Sequence, residues 1–309
     1  MEPFMVYAVS SSLFFALFLF AAKSIISNKM KNYISFIYLQ GIMIVILFPI
    51  ISYLITPSQI FLPPVEVIPY AIISGGTSIV GYLLMYYGLN KYDASSAVPI
   101  IGVKPIFIIP LSIVLLGEWY GMDVIFWILL TMFGAIITTW DERVKVRQMF
   151  SARNRALWIF LVVAFFHTAG NIAVKPAMKI VSNFNFLVWR EFAWFGVLLV
   201  LIPLIFHENE WASLRRDWRG ALWPSLIAIL LQYFGYLSMF YALGFSVQVS
   251  EGLFATQGLF AVTIGFMFSK LGSGLIRESH TGRIYLIRLI GALLIMVAIY
   301  GLFSTNRFA

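Results

Sequence analysis

Apolar residues run along this chain in long blocks. The hydrocarbon core of a bilayer takes about 20 mostly apolar residues per helical crossing. Ten such blocks are read, near residues 4–26, 33–55, 67–89, 94–116, 122–140, 156–178, 184–206, 220–243, 248–270 and 283–303. The pattern predicts an all-α integral membrane protein of ten transmembrane helices. Its longest gap, Asp141 to Arg155, is a charged segment reading DERVKVRQMFSARNR. This divides the chain into a first five-helix repeat over residues 1–140, a cytoplasmic linker over 141–155 and a second five-helix repeat over 156–309.

Composition agrees and narrows the class. Of 309 residues, 61% are apolar and only 11% charged, against about 25% charged in a soluble domain, so too little charge exists to coat a water-facing surface. The mean hydropathy is +0.92. With no cysteine, disulfides, thiolate metal sites and thiol nucleophiles are excluded. The net charge of +8 marks loops rather than a nucleic-acid partner. Fourteen basic residues outside the spans (Lys29, Lys31, Lys91, Arg143, Lys145, Arg147, Arg153, Arg155, Arg215, Arg216, Arg219, Lys270, Arg277 and Arg283) fall in odd-numbered loops, against Lys179 and Arg307 on the other side. Positive loops stay in the cytoplasm, which places both termini outside it, in a multi-pass protein of the cell membrane. The first span lacks a basic start and an A-x-A cleavage site and is read as retained. Trp211, Trp218 and Trp223 read as interfacial anchors.

The halves repeat. Gly81-Tyr-Leu-Leu-Met-Tyr-Tyr-Gly-Leu89 in the third span matches Gly235-Tyr-Leu-Ser-Met-Phe-Tyr-Ala-Leu243 in the eighth at six of nine positions, with an offset of 154. Ser78 aligns with Gln232 at that offset, and Phe14-Phe15 aligns with Phe165-Phe166 at 151. Five is an odd number of crossings, so the second copy enters from the opposite side. Inverted-topology pairs of this kind typify secondary transporters, whose sites lie near the midplane between the repeats.

Certain residues resemble a known family. Gly170-Asn-Ile-Ala-Val-Lys175 is similar to the Asn-x-x-x-Lys ending of the first helix in EamA-type repeats of the drug/metabolite transporter superfamily, and Leu17 to Lys23 is a weaker copy. Pro105 followed after thirteen residues by Glu118 in a Gly-Glu pair resembles the end of the family's fourth helix, and Trp189-Arg190 its helix-two arginine. The resemblance covers nearly the whole chain and implies a ten-helix secondary transporter of small metabolites. Departures are Leu259 and Gly272 where the second half would carry the proline and glutamate, and Leu39 opposite Arg190. Familiar members also keep their termini cytoplasmic, unlike the charge-derived topology.

Polar residues inside spans cost roughly 2.5 to 3.5 kcal/mol each when charged, and those that persist are site candidates. Lys104 stands mid-span among Pro99, Pro105 and Pro110, which can kink the helix beside it. It reads either as a substrate-facing cation or as a lysine packed against Glu251. His167, Asn171 and Lys175 are spaced i, i+4, i+8 and share one face of a helix. That stripe suits a wet cavity, although a lone histidine is more often a core residue and Lys175 can snorkel to the interface. Arg190 and Glu191 are adjacent and point about 100° apart on a helix, so they cannot both face the same neighbour; they read either as site residues or as charges each paired with a different neighbouring helix. Glu251 and Gln248 share a face, and Glu251 could neutralise Lys104 or take up a coupling proton. Ser78, Tyr82 and Tyr86, matched by Gln232, Tyr236 and Phe240, form equivalent stripes, either packing or the wall of a pseudo-symmetric cavity. Gly75-Gly76 reads as a close helix contact.

No HExxH, GxSxG, P-loop or metal-ligand cluster is present, so no cofactor, catalytic residue or metal site is expected, nor a built-in ATP motor. The leading reading is a secondary transporter of a small organic metabolite, working by alternating access. Lys104, His167, Asn171, Lys175, Arg190, Tyr82, Tyr86, Gln232 and Tyr236 would bind substrate, and Glu191 and Glu251 would pair charges or couple. Cations, Lys23 included, outnumber carboxylates, which favours an anionic or zwitterionic cargo. Expected partners are the bilayer, the small molecule and a coupling ion if transport is gradient-driven. Two repeats in one chain let it act as a monomer. A rival is a flippase for a phosphate-bearing lipid; a remoter one is a membrane-embedded enzyme using Ser78 or Thr168 beside His167.

Overall fold

A computed structural model describes residues 3–30, 32–91, 101, 104–138, 155–270 and 282–305. The linker up to residue 154, the start of the fourth predicted span with Pro99, and Gly272 and Arg277 lie outside them. The described residues form helices and no strand: α1 (Pro3–Asn28), α2 (Tyr33–Ile55), α3 (Ile68–Lys91), α4 (Pro105–Leu116), α5 (Met122–Thr138), α6 (Arg155–Ile172), α7 (Val174–Met178), α8 (Asn183–Ile205), α9 (Glu208–Phe245), α10 (Val247–Phe254), α11 (Gln257–Lys270) and α12 (Gly282–Ser304). Among the described residues, six stretches are long and apolar enough to cross a membrane: Pro3–Asn28, Tyr33–Ile55, Val65–Lys91, Trp158–Met178, Asn183–Ile205 and Glu208–Phe245.

Local chemistry fixes the ends. Asn32 caps α2 by accepting from the backbone N–H of Ile34 and Ser35, and its Nδ2 donates to Glu210 Oε1 at 3.0 Å. Ser182 and Ser246 cap α8 and α10 in the same way. Gly117 ends α4 at φ +66°, a left-handed conformation that glycine adopts without Cβ strain, and this turn brings Glu118 back over Ser112. At the same end of α8 that Ser182 caps, Asn185 and Trp189 donate to the carbonyls of Gln59 and Phe61 and hold the connection between α2 and α3.

Two predicted spans are interrupted, and of the fourth the described part is α4, opened by Pro105 directly after Lys104. The sixth breaks at Ala173, where Pro176 lacks the N–H that would reach Ile172. The ninth divides at Ala255–Thr256 into α10 and α11. There Thr256 N donates to Leu253 O at 3.0 Å, a tighter i→i+3 bond. The eighth span is longer than expected. α9 begins at Glu208, within the expected loop, and its 38 residues span about 57 Å at 1.5 Å per residue. Two acidic residues in its first turn suit the helix dipole, and Glu210 accepts from His207 N at 2.9 Å. Trp211, read as an interfacial anchor, packs edge-to-face with Phe206 and Tyr38.

α1 packs along α9, α3 along α6 and α8, α2 against α8 and α9, and α5 along α12; α10 touches α1, α4, α5 and α9. Where α3 crosses α8, a Cβ on Gly75 would lie 2.5 Å from Arg190 O and 2.7 Å from Trp194 N. These are backbone atoms that cannot swing away. Gly75→Ala is expected to destabilise the protein by about 1 to 3 kcal/mol by forcing the helices apart, read as a lowered midpoint in detergent unfolding.

Candidate functional site

Between these helices lies a cavity of about 60 Å³, room for a few waters. Its walls are largely aromatic and apolar: Phe15, Phe18 and Leu19 of α1, Met85 of α3, Met239 of α9 and Phe254 at the end of α10. Set among them are Ser12, Tyr82, Lys104, His167, Asn171, Arg190, Tyr236 and Gln257. No carboxylate is among the lining residues.

The charges are nevertheless balanced from behind. Lys104 Nζ lies 3.1 Å from Glu251 Oε2, and Glu251 is fully buried. Asn171 Nδ2 donates to the other Glu251 oxygen. Arg190 pairs with Glu191, its neighbour in sequence, both about 1% exposed. The reading in which each pairs with a different neighbouring helix is corrected here: the two pair with each other, because the arginine side chain is long enough to reach the adjacent carboxylate. Arg190 Nη2 also donates to Ser78 Oγ at 2.5 Å and Tyr236 Oη at 3.2 Å, with the guanidinium 4.3 Å from the Tyr236 ring centre. From there a buried chain of hydrogen bonds continues: Tyr236 Oη to Tyr82 Oη at 2.8 Å, Gln232 Nε2 to Tyr82 Oη at 3.3 Å, Gln40 Nε2 to Gln232 Oε1 at 2.7 Å, and Tyr86 Oη to Gln40 Oε1 at 2.9 Å.

Of the residues singled out in the sequence, Lys104, His167, Asn171, Arg190, Tyr82 and Tyr236 meet at the cavity. Tyr86 and Gln232 sit outside its lining, in the hydrogen-bonded chain. Lys175 is also outside: its Nζ lies 2.5 Å from Glu118 Oε1 and 2.9 Å from Phe245 O. The Glu118 carboxylate also accepts from the N–H groups of Val247 and Gln248, at the start of α10, each at 3.3 Å. Lys23 donates to Leu89 O at 2.6 Å. The count of cations against carboxylates thus changes, since Glu118 supplies a third partner. Glu118→Ala is expected to cost about 1 to 3 kcal/mol, combining a lost helix cap with a part-buried ion pair, and Lys175→Ala in that background to cost little more. A double-mutant cycle on detergent unfolding checks this.

The sequence reading passed over Gln40, Ser12, Gln257 and the wall from α1. Gln40 is a neutral amide in an apolar block, the signal available for it; the α1 residues are apolar and differ in no visible way from lipid-facing ones.

Residues 3–140 match the EamA-like transporter family. That match, over just under half of the chain, supports membership of the drug/metabolite transporter superfamily. A crystal structure described only as that of a protein superposes on this chain with a TM-score of 0.64, covering 99% of each chain at 12% identity, a likeness of fold. A stretch of 72 residues is 36% identical to an uncharacterized protein of Methanocaldococcus jannaschii, covering 23% of this chain and 53% of that protein, so the chain spans about half the length of that relative. The EamA-like match and the six apolar helices among the described residues support a multi-pass membrane protein.

Proposed function

We propose that the protein is a secondary transporter of a small organic anion or zwitterion, with two inverted five-helix repeats, residues 1–140 and 156–309, alternating around the central cavity. The carrying observation is which charges face the cavity: Lys104 and Arg190 line it, while their partners Glu251 and Glu191 do not. A solute therefore meets two cations first, and an aromatic wall that can hold an apolar portion.

The repeat reading has its own support. Exchanging the halves maps α1 on α6, α2 on α8, α3 on α9 and α5 on α12. Under that exchange the packing of α1 on α9 becomes that of α6 on α3, and α3 on α8 becomes α9 on α2. The start of α4 at Pro105 maps by the offset of 154 to residue 259, two residues past the start of α11 at Gln257. A discontinuous helix, such as the α10–α11 pair, is a pointer to a transporter's binding site.

The test is a thermal-shift screen of the purified protein with metabolite anions, zwitterions and lipophilic cations, followed by counterflow in liposomes with each hit. Stabilisation by anions or zwitterions and their exchange across the bilayer are expected. A response to cations alone would overturn the charge argument.

A further inference from the structure

The partners in the Lys104–Glu251 pair meet the cavity unequally. The lysine side chain is 13% exposed and lines it; the glutamate is 0% exposed and lies behind. Glu251 Oε1 accepts from Asn171, whereas Oε2 has the Lys104 ammonium at 3.1 Å and no hydrogen-bond partner. Of the other charged and titratable groups around it, Arg190 on α8, His167 on α6 and Tyr236 on α9 line the same cavity. Glu118 and Lys175 meet at the start of α10. α1 and α5 approach α10 through Ser12 and Ile128, and α5 carries Asp123 in its first turn. Arg190 is held by Glu191 and Lys175 by Glu118, which leaves Lys104 as the counter-ion of Glu251.

An anion entering the cavity draws the Lys104 ammonium toward itself. The carboxylate left behind is a buried charge with one amide donor, which is unfavourable unless it is neutralised. We infer that Glu251 is a proton-coupling site: occupation of Lys104 by an anion makes Glu251 take up one proton from the water phase. The proton bonds to Oε2 and no other bond breaks. The pair's charge, zero when empty, is zero again as anion, ammonium and carboxylic acid together. Empty and loaded carriers then cross their conformational change with the same charge, so transport responds to a pH gradient and not to membrane potential. This rests on the cavity being the substrate site.

Methanesulfonate, a small organic anion ionised at every working pH, is the probe. Titration calorimetry of the full chain in two buffers of different ionisation enthalpy is expected to count one proton taken up per methanesulfonate bound, and none in Glu251→Gln. Wild-type affinity falls by up to tenfold per pH unit as pH rises; affinity in Glu251→Gln stays flat. Infrared spectra add a readout without ligand: Lys104→Gln shows a protonated-carboxyl band that is missing when Glu251→Gln is added. The wild-type protein, needing no variant, gains that band on binding methanesulfonate. No binding to the wild type, binding without proton uptake, or an ionised Glu251 in Lys104→Gln each overturns the inference. Counterflow of a solute with no linked proton movement also overturns it, yet leaves the transport reading standing. Proton-linked binding with no solute movement in liposomes does the reverse.

Discussion

Lys104→Ala is expected to abolish transport, lowering the initial counterflow rate about a hundredfold, the equivalent of losing a charge-assisted hydrogen bond of 1.5 to 3 kcal/mol to the solute. The protein is expected to remain folded. Removing the ammonium leaves Glu251 buried with Asn171 as its donor, but a carboxyl can neutralise itself by protonation and so avoid most of the penalty of a stranded charge. A monodisperse peak in size-exclusion chromatography, with rate loss of this order, is the expected pair of observations. A folded Lys104→Ala protein with full activity would remove Lys104 from the mechanism. Asn171→Ala discriminates further. It leaves Lys104 in the cavity and takes away the other contact of Glu251, so the rate falls less than in Lys104→Ala.

Much of this arrangement is legible in the sequence because the bilayer makes charge expensive. Lys104, Arg190, Glu191 and Glu251 stand out in apolar blocks for that reason, and the i, i+4 spacing places His167 and Asn171 on one face before any coordinates are known. What the sequence does not carry is pairing across distance. Glu118 reads as part of a loop motif, and its capture of Lys175 and of the α10 N-terminus depends on the left-handed turn at Gly117. The break at Ala255–Thr256 has no proline to announce it, unlike the start of α4 at Pro105 and the break just before Pro176. Helix ends in the odd-numbered loops are misjudged for a different reason: residues 208–219 are too polar to count as membrane, but Glu208 and Glu210 favour a helix start well before the apolar block.

Arg190→Met is expected to cost about 3 to 5 kcal/mol of stability, the range for breaking a buried ion pair by removing one partner. Three contacts go at once: the Glu191 pair, the bond to Ser78 and the bond to Tyr236. Tyr236 then loses the anchor from which the chain through Tyr82, Gln232, Gln40 and Tyr86 extends. Arg190→Lys does not rescue, because a point charge cannot reproduce the fork that reaches Glu191, Ser78 and Tyr236 together. Arg190→Met combined with Glu191→Gln is expected to recover more than half of the loss, since no buried charge is left unpaired. Detergent unfolding midpoints of the wild type, both single variants and the double variant measure these terms. The double variant also separates scaffold from site. If Arg190 serves only to hold α3, α8 and α9 together, restored stability brings restored counterflow. If it also faces the solute, as its place in the cavity wall implies, the double variant is stable and remains inactive.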